Sequence, residues 1–191
     1  MRNILLAVVM MGATVSYANT SFISYGSLNV HYGVYSPNQA ISGNVLFLHG
    51  YGDSFENHLP LFREWNNVGL RVLAFDLPSH GKTHGNAWDD LDWFSFEELA
   101  ELASFLTDNI VGEENLPLFI SGWSTGGLLA TRIVQSRNMS SLFPSFKGLV
   151  LFAPGVSVRK CVGNFLCHIS NETLPHNKHL WERDIHPKSP L

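Results

Sequence analysis

Gly122-Trp123-Ser124-Thr125-Gly126 is the stretch of sequence that decides the fold of this chain. It has the pattern G-x-S-x-G, in which a serine occupies a sharp turn between a strand and a helix and points its hydroxyl away from the backbone. Side chains at the two glycine positions would crowd such a turn, and we also expect glycine there for the backbone angles that the turn demands. Because so short a pattern arises by chance in many chains, it requires a strand before it and a helix after it.

The residues on either side of this turn predict both elements. Residues 116–121 form a short apolar run with a proline near its start, which is typical of a buried strand. Residues 125–137 carry apolar side chains at helical spacing, at Leu128, Leu129, Ile133 and Val134. Strand, turn and helix therefore occur in the required order.

The rest of the chain alternates between strands and helices. An alternating pattern over residues 22–35, broken at Gly26-Ser27, predicts an antiparallel hairpin with one apolar face made of Leu28, Val30, Tyr32 and Val34. Continuous apolar runs predict further strands at 45–48, 71–75 and 148–152. Apolar spacing predicts helices over 55–65, ended by Gly69, and over 96–106, opened by a capping box at Ser95 and Glu98.

Strands that are continuously apolar are typical of a parallel sheet covered by helices on both faces, so we predict an α/β fold. Ligands of such sheets bind at the carboxyl ends of the strands. His49, Asp76, Ser124 and Ala153 each follow a predicted strand, and we expect them to line one rim of the sheet.

Three motifs together resemble the α/β-hydrolase family and, within it, the branch of monoglyceride lipases, lysophospholipases and S33-like serine aminopeptidases. They are His49-Gly50-Tyr51-Gly52, Asp76-Leu77-Pro78-Ser79-His80-Gly81-Lys82-Thr83 and the Gly122 to Gly126 stretch. They stand in the order that the family uses. The resemblance covers roughly residues 22 to 155.

The resemblance implies a chemistry for this rim. Ser124 would be the nucleophile that attacks a carboxylic ester, with lipid esters among the expected substrates. The backbone amides of Tyr51 and Thr125 would form the oxyanion hole, and the helix that begins at Thr125 would add its positive dipole end. His49 and His80 are expected to be structural. No cofactor and no metal ion are expected.

The catalytic acid and histidine are not apparent. The family order is serine, then acid, then histidine, each after a later strand. Two further units of at least about 30 residues each do not fit between Phe152 and Leu191. We therefore expect residues 19–154 to be the N-terminal part of the hydrolase core, residues 155–191 to begin a cap, the sheet to be incomplete at its C-terminal side and the chain alone to be nearly inactive. The alternative is a local base supplied by Asp184 and His186.

Two other functions stay open. The same branch implies a peptidase that removes N-terminal residues from peptides as an alternative to ester hydrolysis. The fold without its catalytic base also suits a non-catalytic module that binds an acyl group or another small apolar ligand at the strand rim.

The N-terminus has the pattern of a secretory signal peptide. Arg2 precedes an apolar stretch at 4–13, and Ser16-Tyr17-Ala18 is a small-x-small cleavage signal, so we predict a signal peptide over 1–18. The apolar stretch is too short to span a bilayer, and no transmembrane segment is expected after cleavage. The mature protein is predicted to be secreted or periplasmic. An uncleaved N-terminal anchor is the alternative.

The composition sets the remaining limits. The chain has 191 residues, 45% hydrophobic and 15% charged, with a formal net charge of −4 and no basic block, so nucleic acid is not an expected partner. Cys161 and Cys167 are the two cysteines, and in an exported chain they suggest a disulfide, with free thiols as the alternative.

Overall fold

A single mixed sheet organises the computed structural model, which describes residues 17–85, 96–112, 116–136 and 138–154. The described strands are β1 Tyr17–Tyr25, β2 Leu28–Ser36, β3 Gly43–Leu48, β4 Leu70–Phe75, β5 His84–Gly85, β6 Leu118–Trp123 and β7 Phe146–Phe152. Their order across the sheet is β1-β2-β4-β3-β6-β7, and β5 pairs with β2.

The predicted hairpin is confirmed. β1 and β2 pair antiparallel with Tyr25 opposite Leu28, and Gly26 makes the turn with a φ of +57°. Both faces of β2 are covered, because His31 and Tyr35 are buried on one face while Leu28 and Val30 are buried on the other.

The predicted parallel core is also confirmed. β4, β3, β6 and β7 run parallel, and Leu48 at the end of β3 lies opposite both Phe75 of β4 and Gly122 of β6. Because the carboxyl ends of these strands are level, the residues that follow them meet at one rim, as predicted from the sequence.

Helices cover both faces of the sheet. On one face, α1 (Leu59–Asn67) packs against the strands through an apolar cluster that includes Phe47 and Phe62, both fully buried. On the other face, α2 (Phe96–Leu106) and α3 (Thr125–Gln135) bury a larger cluster that includes Leu46 and Leu102. Each such side chain contributes about 1.5–3 kcal/mol when fully buried.

Several predicted boundaries were wrong by a few residues. The helix predicted over 55–65 begins as a 3₁₀ turn, Phe55–His58, and becomes α-helical only at Leu59, where Pro60 fits the first turn because its missing N–H has no helical partner. β6 continues through Gly122 and Trp123, α2 continues as a π-helical segment over Thr107–Val111, and α3 is followed by a short helix, α4 (Met139–Leu142).

Some predictions lie outside the described residues. These are the signal peptide up to residue 16, the capping serine Ser95, the disulfide of Cys161 and Cys167, the pair Asp184 and His186, and the cap assigned to 155–191. The predicted cleavage point after Ala18 lies within β1. Among the described helices, the longest have 11 residues, and none could span a membrane.

Candidate active site

Ser124 occupies the turn between β6 and α3. Its backbone has φ +54° and ψ −117°, a conformation that costs a non-glycine residue about 1–3 kcal/mol. Three backbone hydrogen bonds hold it there: Ser124 N donates to Phe152 O at 3.0 Å, and Ser124 O accepts from Gly127 N at 2.9 Å and from Leu128 N at 3.3 Å. The strand–turn–helix context that the pattern requires is therefore present.

Gly122 and Gly126 are required by crowding. A Cβ atom on Gly122 would overlap Gly126 O, and one on Gly126 would overlap Leu48 O. Neither glycine has a positive φ, so the expectation that they supply unusual backbone angles was wrong. Ser124 carries the unusual angle instead, because the turn reverses direction at the serine itself.

The two predicted oxyanion donors belong to segments that adjoin Ser124. Thr125 is the first residue of α3, where backbone N–H groups have no helical partner. Tyr51 follows Gly50, whose backbone packs against the turn so closely that a Cβ there would lie 3.3 Å from Ser124 Cβ and 3.4 Å from Trp123 O. The sheet thus brings the His49–Gly52 loop and the serine turn into direct contact.

The side chain of His49, the first residue of this loop, is fully buried. Its Nδ1 is 2.7 Å from Gly50 O, which can only accept, so Nδ1 carries the proton. Its Nε2 accepts a hydrogen bond from Leu77 N at 2.9 Å. Burial lowers the pKa of His49 from 6.5 to about 4, so the ring is neutral near pH 7.

Asp76 organises the neighbouring loop. Its carboxylate lies 2.8 Å from His31 Nδ1 and accepts from the backbone N–H groups of Phe55 and Lys82, at 3.1 and 2.8 Å. Gly81 has φ +54°, and a Cβ there would overlap the Asp76 carboxylate. Asp76 therefore ties β2, the 3₁₀ turn and the loop after β4 together.

Sequence reasoning missed two buried or half-buried acid–histidine pairs. His31 pairs with Asp76, 45 residues away, and no local pattern signals that contact. His58 Nε2 lies 2.7 Å from Asp53 Oδ2, and its ring packs against Phe47. The second pair could have been suspected from the sequence, because Asp53 and His58 are only five residues apart.

The described histidines are all engaged away from Ser124. His80 Nδ1 contacts Pro78 O and His84 Nδ1 contacts Lys82 O, while the others bond as given above. Burial lowers the pKa of His80 as well. Among the residues that the structure describes, no histidine nitrogen is hydrogen-bonded to Ser124 Oγ.

A largely parallel sheet with helices on both faces and a serine on the strand–helix turn at its carboxyl rim defines an α/β-hydrolase. More particularly, the chain belongs to the family described as serine aminopeptidase, S33, whose sequence model matches residues 39–188.

Curated relatives of this chain are similar over part of their length. A Mycoplasma pneumoniae protein assigned as an esterase/lipase is 28% identical over 111 residues, which cover 58% of this chain and 37% of that protein. The monoacylglycerol lipase of Mycolicibacterium smegmatis is 27% identical over 114 residues, which cover 56% of this chain and 38% of that one. The chain thus spans less than two fifths of these relatives.

Solved structures show the same fold. A soluble variant of the monoglyceride lipase of Saccharomyces cerevisiae, in complex with a substrate analogue, has a TM-score of 0.63 at 17% sequence identity. The match covers 81% of this chain and 52% of that protein.

Proposed function

We propose that this chain is the nucleophile-bearing part of a carboxylic ester hydrolase. The observation that carries the proposal is the backbone of Ser124, a non-glycine residue held at φ +54° between β6 and α3, with the Gly50 backbone packed against it. Strain of this kind at a ligand-binding rim is typical of a functional residue. The names of the relatives, a lipase and an esterase/lipase, favour esters and lipid esters as the substrate class.

The reaction is acyl transfer in two steps. Ser124 Oγ attacks the acyl carbon as a base takes its proton, and the collapsing intermediate expels the alcohol, which receives that proton. Water then attacks the acyl carbon as the base takes its proton, and Ser124 Oγ leaves and receives that proton, which releases the carboxylic acid. The amides of Tyr51 and Thr125 would hold the oxyanion in both steps, each worth roughly 3 kcal/mol of barrier in comparable sites.

We propose that the catalytic histidine is none of those in the described residues, and that acid and histidine both follow Ser124, in the order that the family uses. The five histidines in the described part of the chain bond to other partners, and His49 is both buried and neutral. The two acid–histidine pairs instead join Asp76 to His31 of β2 and Asp53 to His58 of the 3₁₀ turn.

Hydrolysis of short-chain and long-chain glycerol monoesters by the purified wild-type chain and by Ser124→Ala tests the proposed class. Turnover by the wild-type chain that Ser124→Ala abolishes supports a serine esterase and contradicts the expectation that the chain alone is nearly inactive. Turnover that survives in Ser124→Ala places the nucleophile elsewhere and contradicts the proposal.

A second function, removal of N-terminal residues from peptides, is favoured by one observation, the description of the matching family as a serine aminopeptidase. The same nucleophile and oxyanion donors would act on an amide. Aminoacyl anilides with a free amino group, offered beside their N-acetylated counterparts, separate the two functions. Ser124-dependent cleavage of the free-amine anilides with no ester turnover would favour the peptidase.

We also propose that the protein is exported. The support is the signal-peptide pattern of Arg2, the apolar stretch at 4–13 and the small residues before Asn19. N-terminal sequencing of the protein from its producing cells should find Asn19 first. A mature protein that starts at Met1 would contradict cleavage.

A further inference from the structure

We propose that Trp123 is a specificity-determining residue whose exposed indole binds the hydrocarbon chain of the ester beside Ser124. The inference rests on the proposed function, because it assigns that chain to the substrate of the same site. Trp123, Val150 and Phe152 together form an apolar wall, which lies at the carboxyl ends of β6 and β7. Esters with linear aliphatic chains are therefore the expected substrates.

The first step is the exposure of the apolar wall. Trp123 is 42% exposed and Val150 is 40% exposed. Phe152 lies opposite Trp123 in the register of β6 and β7. Because side chains two residues apart share one face of a strand, Val150 stands beside Phe152 on the face that carries the indole. The three side chains therefore form one continuous apolar surface.

The second step is the position of the indole relative to the proposed nucleophile. A Cβ on Gly50 would lie 3.3 Å from Ser124 Cβ and 3.6 Å from Trp123 Cδ1. Both side chains therefore approach the same point of the Gly50 backbone, and the five-membered ring of Trp123 borders the serine. An ester whose carbonyl carbon is held at Ser124 Oγ thus has an aromatic surface next to it.

The third step is what holds the indole in place. Trp123 stacks on Phe152, with ring centroids 6.1 Å apart and an angle of 20° between the ring planes, and it contacts the ring of His58 at 5.6 Å. Phe152 in turn packs 6.0 Å from the ring of Trp65 in α1. A wall that is already ordered loses little side-chain entropy when a ligand binds to it.

The fourth step is the polarity of the surroundings. His58 contacts the indole, and its Nε2 lies 2.7 Å from Asp53 Oδ2. The other carboxylate oxygen, Asp53 Oδ1, accepts from Ser54 N and from Asn57 Nδ2. These polar atoms already have hydrogen-bond partners, which favours an uncharged hydrocarbon chain over an ionic group as the occupant of the apolar wall.

Binding of butyl, hexyl and octyl glycerol ethers tests the apolar wall, because an ether mimics the ester and is not hydrolysed. Dissociation constants are measured by calorimetry for the full chain, for Trp123→Ala, for Trp123→Phe and for Phe22→Ala. Phe22 is a matched control, because it is 44% exposed but belongs to β1, at the opposite edge of the sheet from β7.

We expect the affinity of the wild-type chain to rise about twofold with each added methylene, since full burial of a methylene gives about fourfold and the apolar wall covers one side of the chain. Trp123→Ala should lose most of this gain, whereas Trp123→Phe should keep most of it and Phe22→Ala all of it. A wild-type affinity that does not depend on chain length would overturn the proposal, as would a gain that Trp123→Ala retains or that Phe22→Ala removes equally.

An octyl glycerol ether with a photoreactive group in its chain tests the proposal without any substitution. On irradiation it should label Trp123, Val150 or Phe152 of the wild-type chain, and labelling that misses all three would overturn the apolar wall. Ethyl and octyl fluorophosphonates distinguish this failure from that of the proposed function. If neither modifies the wild-type chain while the ethers bind as expected, the hydrolase is contradicted and the apolar wall is supported. Modification of Ser124 together with ether binding that ignores chain length contradicts the apolar wall alone.

Discussion

At the scale of single residues, backbone strain is concentrated at the rim. Among the described residues, Ser79, Ser124 and Ala153 have positive φ without being glycine, at 65°, 54° and 44°. All three follow parallel strands at their carboxyl ends. The strain at Ser124 belongs to the proposed nucleophile, whereas Ser79 lies in the loop that Asp76 organises.

The strain at Ser79 predicts that Ser79→Gly stabilises the protein by roughly 1 kcal/mol. Glycine removes a left-handed penalty of about 1–2 kcal/mol and loses about 0.5–1 kcal/mol in backbone entropy. The hydroxyl that it removes is buried and has no partner among the described residues. Urea unfolding of both proteins measures the difference.

Ser136→Gly is the matched control for this change. Ser136 also has a buried hydroxyl without a partner among the described residues, but its φ is an ordinary −64°. It should therefore lose roughly 0.5–1 kcal/mol. Equal effects at the two positions would show that the hydroxyl, and not the backbone angle, decides stability.

Residue-scale features were predictable where the signal is local. The Gly122 to Gly126 stretch predicted the turn and the crowding at both glycines, because five consecutive residues carry the whole pattern. It could not predict that the strain falls on Ser124. The pair of His31 and Asp76 was out of reach, since only the folded sheet brings residues of β2 and the end of β4 together.

At the scale of elements, α1 is fastened to the sheet by a buried asparagine. Asn66 Nδ2 donates to Tyr35 O at 2.9 Å and to Leu70 O at 2.8 Å, so one side chain joins α1 to β2 and β4. The continuous apolar runs predicted the parallel strands well. They did not predict β5 or the 3₁₀ turn before α1, because two-residue pairings and single turns depend on contacts distant in sequence.

This fastening predicts that Asn66→Ala costs about 2 kcal/mol of unfolding free energy, because one buried and one partly buried carbonyl each lose a donor. The neighbouring Asn67→Ala is the control: Asn67 is exposed, and its side chain makes one 3.4 Å contact, to Glu64. We expect the control to stay within about 0.5 kcal/mol of wild type. Thermal unfolding of both variants measures their losses of unfolding free energy. Similar losses would contradict the role of Asn66 in joining α1 to the sheet.

At the scale of the whole molecule, the stability of the fold should depend on pH, because the buried His49 and His80 at the rim have lowered pKa values. The pKa of His49 in the folded state is about 4, below its ordinary 6.5. Between those values the unfolded chain binds a proton that the folded chain does not, so stability is complete above about pH 6.5 and falls as the pH falls. The lowered pKa of His80 acts in the same direction.

From His49 alone, we expect a loss of about 2 kcal/mol between pH 7 and pH 5. Urea unfolding at a series of pH values measures it, and His49→Asn should flatten the dependence. A wild-type protein equally stable at pH 7 and pH 5 would contradict the burial of a neutral imidazole.

The architecture was predictable from the sequence because the local patterns, the strands and the topology of the sheet agree with one another. Apolar runs predicted parallel strands, parallel strands predicted a rim at their carboxyl ends, and the three motifs fall on that rim. The catalytic acid and histidine could not be assigned, because such residues are recognised by their geometry around the serine and not by a local pattern.

The central claim, that Ser124 is the nucleophile, is tested most directly by a fluorophosphonate probe with the modified residue mapped by mass spectrometry. The control is Ser121→Ala, which removes a fully buried serine of β6 three residues upstream. We predict modification of Ser124 in the wild-type chain and in Ser121→Ala, and none in Ser124→Ala. A folded wild-type chain that stays unmodified, or modification that survives in Ser124→Ala, would contradict the claim and favour a module that only binds its ligand.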